Sequence, residues 1–149
     1  MDKEGKHEKT YEDDRNKQPI FTAVAHIATT TNGTIFVVDE VSSDESRVVV
    51  LGQDGDVINT YTGHPKINTD DKPFKPVYAV TTPFDNIIVT DKDTHTLHIL
   101  NSVGHLITYY NTKSIGIQHP LSLSFTTSGQ LFIGCDTPVD STDKDKIYI

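Results

Sequence analysis

The 149 residues carry a formal net charge of −8 and include 35% hydrophobic residues, seven prolines and no tryptophan. No apolar run approaches the roughly 18 residues that a membrane-spanning helix needs. Acidic residues are spread along the chain and basic residues are not clustered, which disfavours nucleic acid as a partner. Because the single cysteine cannot form an internal disulfide and no signal peptide follows Met1, we expect a cytoplasmic protein that does not enter a membrane.

The chain begins with a glycine turn that recurs along the sequence. An apolar residue, followed four positions later by Gly and then by a strand-like run, occurs at Gly5, Gly55 and Gly104. Successive glycines are 50 and 49 residues apart, and a period of this size is typical of propeller blades or solenoid repeats. Residues 1–12 are therefore predicted to be the outer strand of a preceding blade.

Each following unit is predicted to contain short strands joined by tight turns, which makes neighbouring strands antiparallel. The first unit covers residues 22–62, the second 76–111 and the third 120–149, which lacks a fourth strand. The runs IFVVD, IIVTD and LFIGC are apolar and rich in β-branched residues, and no segment keeps a helical period. We predict an all-β chain, an incomplete β-propeller of about three four-stranded antiparallel blades spanning residues 1–149.

The repeated pattern P-x-x-I/L/V-x-x-T-x-x-G-x-I/L-x-V/I, followed by Asp and the glycine hairpin, resembles the NHL-repeat β-propellers. The best match is residues 75–110, KPVYAVTTPFDNIIVTDKDTHTLHILNSVGHLITYY. The repeat pattern of this sequence is similar to that of the C-terminal propellers of animal tripartite-motif proteins, notably the expanded sets of molluscs. There are departures: Val24 replaces the initial Pro of the other units, and Cys135 stands where Asp39 and Asp91 sit.

Three blades are too few to close a ring, because propellers usually have four to eight. The resemblance implies six blades. The interpretation that we favour is therefore a fragment of a longer protein. The alternative is a homodimer that closes a six-bladed ring, in which residues 1–12 supply the strand that the last unit lacks.

Residue types that could carry chemistry are present but scattered. The histidines lack the spacing of metal ligands, and His95 and His98 are three residues apart, which on a strand points them to opposite faces. The stretch DKDTH lacks the Gly and Glu of a calcium loop; Asp39 and Asp91 are instead expected to cap the turns after the second strands. The lone cysteine is expected to be buried. We predict no metal, no cofactor and no enzymatic activity.

The remaining candidate is a recognition surface on a propeller rim. The loops around the second unit supply its residues, which are Lys72, Phe74, Lys75, Tyr78, Lys92 and His95. An exposed aromatic among lysines suits a peptide or a nucleotide base, whereas the alternative for Phe74 is packing between blades.

The expected function is a non-catalytic, protein-binding propeller module. By resemblance it would be the substrate-recognition part of a tripartite-motif-like E3 ubiquitin ligase, without the Cys- and His-rich RING and B-box modules that such ligases need for activity. The alternative is an RNA-binding propeller, which the net charge of −8 weighs against. A third class is a propeller enzyme, such as a lactonase or lyase.

Overall fold

A computed structural model of the chain describes residues 10, 12–13, 17–136 and 146–148. Within these residues the strands form three antiparallel sheets, which we call blades 1, 2 and 3. Blade 1 contains β1 (Val24–Thr29), β2 (Ile35–Glu40), β3 (Ser46–Leu51) and β4 (Val57–Tyr61). Blade 2 contains β5 (Pro76–Thr81), β6 (Ile87–Asp91), β7 (Thr96–Leu100) and β8 (Leu106–Asn111). Blade 3 contains β9 (Pro120–Phe125), β10 (Leu131–Cys135) and β11 (Lys146–Tyr148).

Within each blade the hydrogen-bonded order of the strands follows the chain. The first strands of the blades, β1, β5 and β9, lie next to one another, so the blades are arranged around their first strands as in a propeller. A four-residue 3-10 turn, Thr112–Ile115, leads into blade 3. The predicted all-β fold with incomplete propeller blades is confirmed. No helix in the described residues is long and apolar enough to cross a membrane.

The blades stack face to face through the alternation of side chains along their strands. Residues of both blades form the core between blades 1 and 2: Ala28, Phe36, Val38, Val48, Val50, Tyr61, Phe74, Ala79, Ile87, Val89 and Leu100. A second core, between blades 2 and 3, contains Ile88, Leu97, Ile117, Leu123, Ile133 and Cys135. Because blade 2 has a neighbour on both faces, every residue of β6 is buried, which explains why apolar residues do not alternate with polar ones in Ile87, Ile88 and Val89.

The strand register repeats from blade to blade. The first residue of each first strand pairs with a residue near the end of the second strand: Val24 with Asp39, Pro76 with Asp91 and Pro120 with Cys135. A register shift follows or precedes each of these pairs. The structure therefore places Cys135 at the position that an aspartate occupies in the two earlier blades.

The glycine turns give two of the three predicted hairpins their shape. Gly55 and Gly104 have φ values of 85° and 86°, a conformation that favours glycine because other residues would place Cβ against the backbone. The third glycine, Gly5, and the strand predicted in residues 1–12, apart from Thr10 and Glu12, lie outside the described residues.

Candidate functional site

The loops of antiparallel blades alternate between two rims. The lysine rim, as we call it, contains the segments before the first strands and the turns between second and third strands: 17–23, 41–45, 62–75, 92–95 and 112–119. The aspartate rim contains the remaining turns: 30–34, 52–56, 82–86, 101–105 and 126–130. Every Lys and Arg side chain that the structure describes lies at the lysine rim or within two residues of it: Lys17, Arg47, Lys66, Lys72, Lys75, Lys92 and Lys113. The aspartate rim carries Asp54, Asp56 and Asp85.

Two of the predicted recognition residues are not on a rim surface. Phe74 is only 4% exposed and packs edge to face against Tyr61, with ring centroids 5.2 Å apart. The alternative expected for Phe74, packing between blades, is confirmed, and its place among the exposed recognition residues is wrong, because the turn before β5 inserts the ring between blades 1 and 2. Tyr78 lies on β5 and stacks on His26 of β1, with centroids 3.7 Å apart, so its ring contacts the neighbouring first strand.

The other four predicted residues occupy three separate places on the lysine rim. Lys75 and Lys92 share a cleft of about 300 Å³ between blades 1 and 2 with Glu40 and Asp93. The Lys75 Nζ lies 3.7 Å from the Asp93 Oδ2. Lys72 lines a different cleft. The predicted set therefore does not converge on one site, and its part in recognition stays a prediction.

His95 is the fourth of these residues, and it pairs with His119. The His119 backbone N–H donates to the His95 Nδ1 at 2.9 Å, and the ring centroids are 4.4 Å apart. Burial lowers the pKa of His95, and the neighbouring His119, Lys113 and Lys72 lower it further. His95 is therefore neutral at pH 7 and adds no positive charge to the rim.

A buried hydrogen-bond network, which no sequence motif indicates, lies beneath this rim. The Asp91 and His98 side chains are fully buried. Asp91 Oδ2 accepts hydrogen bonds from Asn68 and Thr94, both at 2.7 Å, and lies 3.2 Å from the His98 Nε2. The His98 Nδ1 lies 2.7 Å from the Tyr61 hydroxyl. Since an ionised Asp91 can only accept, the His98 Nε2–H donates to it, and the His98 Nδ1 shares a hydrogen bond with the Tyr61 hydroxyl.

The ionisation of the network follows from these bonds. Burial alone would raise the pKa of Asp91, but hydrogen bonds from His98, Thr94 and Asn68 outweigh it and hold the pKa below its ordinary value of 3.8. Burial and the nearby Asp91 charge raise the pKa of Tyr61, so its phenol stays protonated. Because the network is closed to solvent, its role is structural: it joins β4 of blade 1 to blade 2.

The two aspartates of the repeat share one contact and differ in the others. The Lys75 backbone N–H donates to the Asp91 Oδ1 at 3.3 Å, as the Ala23 N–H does to the Asp39 Oδ1. The Asp39 Oδ1 accepts from the backbone N–H groups of Thr22 and Ala23, both at 2.8 Å, and its Oδ2 accepts from the Arg47 Nε at 2.9 Å. The prediction that Asp39 caps the following turn is therefore wrong, because its carboxylate holds the segment before β1. Asp91 does accept from Thr94 in the turn that follows it.

We expect the stability of the protein to fall in acid through Asp91. A carboxyl whose folded pKa is lowered stabilises the fold above its unfolded pKa and loses that contribution as the pH falls through the folded pKa. The unfolding free energy should therefore decrease below about pH 4–5, measured by urea denaturation across a pH series. The Asp91→Asn variant should show a shallower decrease; an equal slope in both proteins would contradict this assignment.

A groove on the aspartate rim is the largest cleft that we describe. It measures about 630 Å³ and lies between blades 2 and 3, with Ile88, Ile99 and Phe125 among its lining residues. Phe84 stands at its edge and is 88% exposed. Large exposed aromatics beside an apolar groove are typical of surfaces that another molecule covers.

The sequence carries a signal for Phe84, although the predicted recognition surface does not include this residue. Each turn between first and second strands is closed by a backbone hydrogen bond, from Thr30 to Thr34, Thr82 to Asn86 and Thr126 to Gln130. At the tip, Phe84 replaces the Asn32 and Ser128 of the other turns. A bulky aromatic where the repeat has a small polar residue has no role in forming the turn.

Asp85 follows Phe84 and has a φ of 60°, where the equivalent turns have glycine. Its carboxylate accepts from the Thr31 backbone N–H at 3.0 Å and from the Thr31 hydroxyl. These hydrogen bonds from blade 1 lower the pKa of Asp85, so it is ionised at neutral pH. Among the described residues, no three His, Cys, Asp or Glu side chains are grouped so that they could hold a metal ion.

The fold and its clefts define an all-β, propeller-like protein, and the comparisons with known proteins agree with this class. No protein-family model and no curated protein matches the sequence. Among solved structures, luciferin-regenerating enzyme matches with 11% sequence identity and a TM-score of 0.53. The match covers 87% of this chain and 45% of the enzyme chain. A protein of unknown function from Bacteroides caccae is 11% identical with a TM-score of 0.46. The match covers 89% of this chain and 65% of that protein. A protein from Lactobacillus plantarum is 13% identical with a TM-score of 0.44. The match covers 81% of this chain and 53% of that protein.

The likeness to these structures concerns the fold alone, because the identities are low. The chain spans between 45% and 65% of the length of the three structures. The prediction that the chain has no enzymatic activity is nevertheless corrected, because a structure of the same fold is named as an enzyme. The architecture is therefore no reason to exclude catalysis.

Proposed function

We propose that this chain is a propeller-like protein-binding module whose partner docks on the aspartate rim beside Phe84. The observation that carries the proposal is the exposure of this ring, 88%, at the edge of a groove of about 630 Å³. Aromatic side chains that fill or flank such grooves contribute much of the binding energy in protein interfaces. An unpaired phenyl ring on a turn tip gains nothing from its exposure to water.

The partner that fits is a protein segment with an apolar side chain flanked by lysine or arginine. The apolar lining, which includes Ile88 and Phe125, would receive the apolar side chain. The charges on this rim are aspartates, and Asp85 next to Phe84 is ionised. In the described residues no Lys or Arg lies on this rim to repel a basic segment, and complementary charge steers such an encounter.

The resemblance of the repeats to NHL propellers supports a finer proposal. On that ground we propose that the partner is a substrate brought to a tripartite-motif-like E3 ubiquitin ligase, with this chain as part of the recognition propeller. The support is the pattern of residues 75–110 and its partial return in the neighbouring units. The ligase activity of a longer protein that contains this chain is part of the same proposal, because the chain spans only 45% of luciferin-regenerating enzyme.

A photo-crosslinking experiment tests the docking surface. Asn86, which lines the groove, is replaced by p-benzoylphenylalanine in cells of the source organism, and the crosslinked partner is identified by mass spectrometry. The partner's affinity is then measured by calorimetry with purified proteins. We expect Phe84→Ala to weaken binding by about 30-fold or more, the loss typical of an interface hot spot.

The matched control is Val103→Ala, which shortens another exposed apolar side chain on the same rim outside the groove. It should change the affinity less than twofold. Equal losses in the two variants would refute a specific role of Phe84. An unchanged affinity in Phe84→Ala, with a loss in Lys75→Gln and Lys92→Gln, would move the docking site to the lysine rim.

RNA binding is a second candidate because one observation favours it: all described Lys and Arg side chains gather at or near one rim. Phosphate contacts need such a grouping. The same rim carries acidic residues, including Asp70, Asp71 and Asp93, which weakens the case. Single-stranded RNA that binds in a salt-dependent way, equally well to the Phe84→Ala variant, would support this candidate over the first.

A further inference from the structure

A cleft on the outer side of the lysine rim has no part in the proposed function. It measures about 260 Å³ and lies where the segment between β4 and β5 meets the third and fourth strands of blade 2. Seven residues line it: Lys66, Ile67, Lys72, Thr94, Thr96, Tyr109 and Asn111. It is separate from the Lys75 and Lys92 cleft and lies on the opposite rim from Phe84.

The charged groups of this cleft are both cationic. Lys66 and Lys72 are exposed, and in the described part of the chain neither forms an ion pair. No carboxylate lines the cleft. Asp91 lies behind Thr94, but its Oδ2 already accepts hydrogen bonds from Thr94 and Asn68. The charged lining of the cleft is thus cationic, and the acidic residues Asp70 and Asp71 of the same segment are not part of that lining.

Among the neutral polar groups of the cleft, the Asn111 amide offers donors to a ligand, whereas the hydrogens of the two threonine hydroxyls are already used. The Asn111 Oδ1 accepts from the Lys113 backbone N–H at 2.9 Å, which leaves the Nδ2 hydrogens for other partners. The Thr94 and Thr96 hydroxyls donate inward, to Asp91 and to the Thr94 carbonyl. Two ammonium groups and an amide are a donor set for anionic oxygens.

One wall of the cleft is aromatic. Tyr109 is 41% exposed, and its ring is held beside His64 with centroids 5.9 Å apart. Ile67 adds apolar surface. At about 30 Å³ per water, the cleft holds roughly nine water volumes, which is enough for one ring and a small charged group. These features limit the ligand to a small, flat and anionic molecule.

We propose that this cleft binds a small molecule in which a phosphate monoester or a carboxylate is attached to a single planar ring. Lys66, Lys72 and the Asn111 amide hold the anionic group, and the ring lies against Tyr109. The phosphate and the carboxylate share this chemistry, so the experiment compares them directly.

Titration by NMR tests the proposal with three probes that share a ring: phenyl phosphate, benzoate and uncharged phenol. Amide shifts of residues 64–72 and 109–111 are followed in the isotope-labelled chain. We expect saturable shifts with phenyl phosphate, benzoate or both, and none with phenol; the tighter anion identifies the group. Lys66→Gln and Lys72→Gln should each weaken binding about tenfold, as the loss of a charge-assisted hydrogen bond does.

The matched control is Lys92→Gln, which removes the same charge from the same rim but not from this cleft. It should bind within twofold of the original chain. The proposal is overturned if phenol binds as well as the anions, if no probe gives saturable shifts, or if Lys92→Gln loses as much affinity as the other two variants. Stronger shifts of the same amides with single-stranded RNA would overturn the small-molecule assignment. Unchanged amide spectra outside the cleft show that each variant is folded.

Discussion

Replacing Asp91 with alanine should lower the free energy of unfolding by about 3–5 kcal/mol, because three donors lose a charged acceptor at a cost of about 1–3 kcal/mol each. The substitution leaves the His98 Nε2–H, the Thr94 hydroxyl and the Asn68 amide without their acceptor, and of these groups the His98 side chain is fully buried. A typical domain has only roughly 5–15 kcal/mol of stability in total. Urea denaturation followed by circular dichroism measures the difference.

Two variants show whether this loss comes from the network. Tyr61→Phe removes one hydroxyl at the end of the chain of hydrogen bonds and should cost about 1 kcal/mol. Asp91→Asn keeps the shape and one acceptor oxygen, so its loss should fall between those of Asp91→Ala and Tyr61→Phe. A loss under about 1 kcal/mol for Asp91→Ala would mean that water or a shifted side chain satisfies the donors.

Phe74→Ala should destabilise the protein by about 3–5 kcal/mol, as large-to-small substitutions of buried aromatic residues do. The ring belongs to the core between blades 1 and 2 and contacts both Tyr61 and His98, with centroids 5.2 Å and 5.0 Å away. Its removal leaves a cavity against the buried network as well as lost apolar contacts. The shift of the urea midpoint at constant slope measures the effect.

Phe84→Ala is the matched control for this measurement, because it makes the same chemical change on a ring that is 88% exposed. It should alter the unfolding free energy by less than about 0.5 kcal/mol. The two phenylalanines would then separate a packing role from a binding role. Equal destabilisation by the two substitutions, or none by Phe74→Ala, would contradict the packing of Phe74 between the blades.

The strands and turns could be predicted because their signals are local. The run IIVTD is apolar throughout its first three residues, and the structure buries every residue of this strand between two neighbouring blades. Gly55 and Gly104 have the positive φ that the repeated turn requires. Such features depend on alternation, on β-branched residues and on glycine, all of which lie within a few positions of one another in the sequence.

The contacts between blades could not be predicted in the same way. Tyr61, Asn68, Asp91 and His98 are up to 37 residues apart, and only the stacking of blades brings them together. An argument from sequence spacing pairs His98 with the nearby His95, whereas the hydrogen-bond partner of His98 in the structure is Asp91. The lysines on either side of Phe74 likewise indicate a surface, whereas the direction of the turn before β5 decides that the ring points inward.

The two aspartates of the repeat have a consequence for how this chain can have evolved. Asp39 is neutralised by Arg47 on β3, and Asp91 is hydrogen-bonded by His98 on β7. When the strand ends Leu51 and Leu100 are aligned, Arg47 corresponds to Thr96 and Val49 corresponds to His98, so the two partners occupy different positions in their strands. A recombination event that exchanged the two third strands would set Thr96 opposite Asp39 in place of Arg47, and this buried carboxylate would lose its cation. The blades thus share one strand plan, but their third strands are not interchangeable, because each is matched to the aspartate of its own blade.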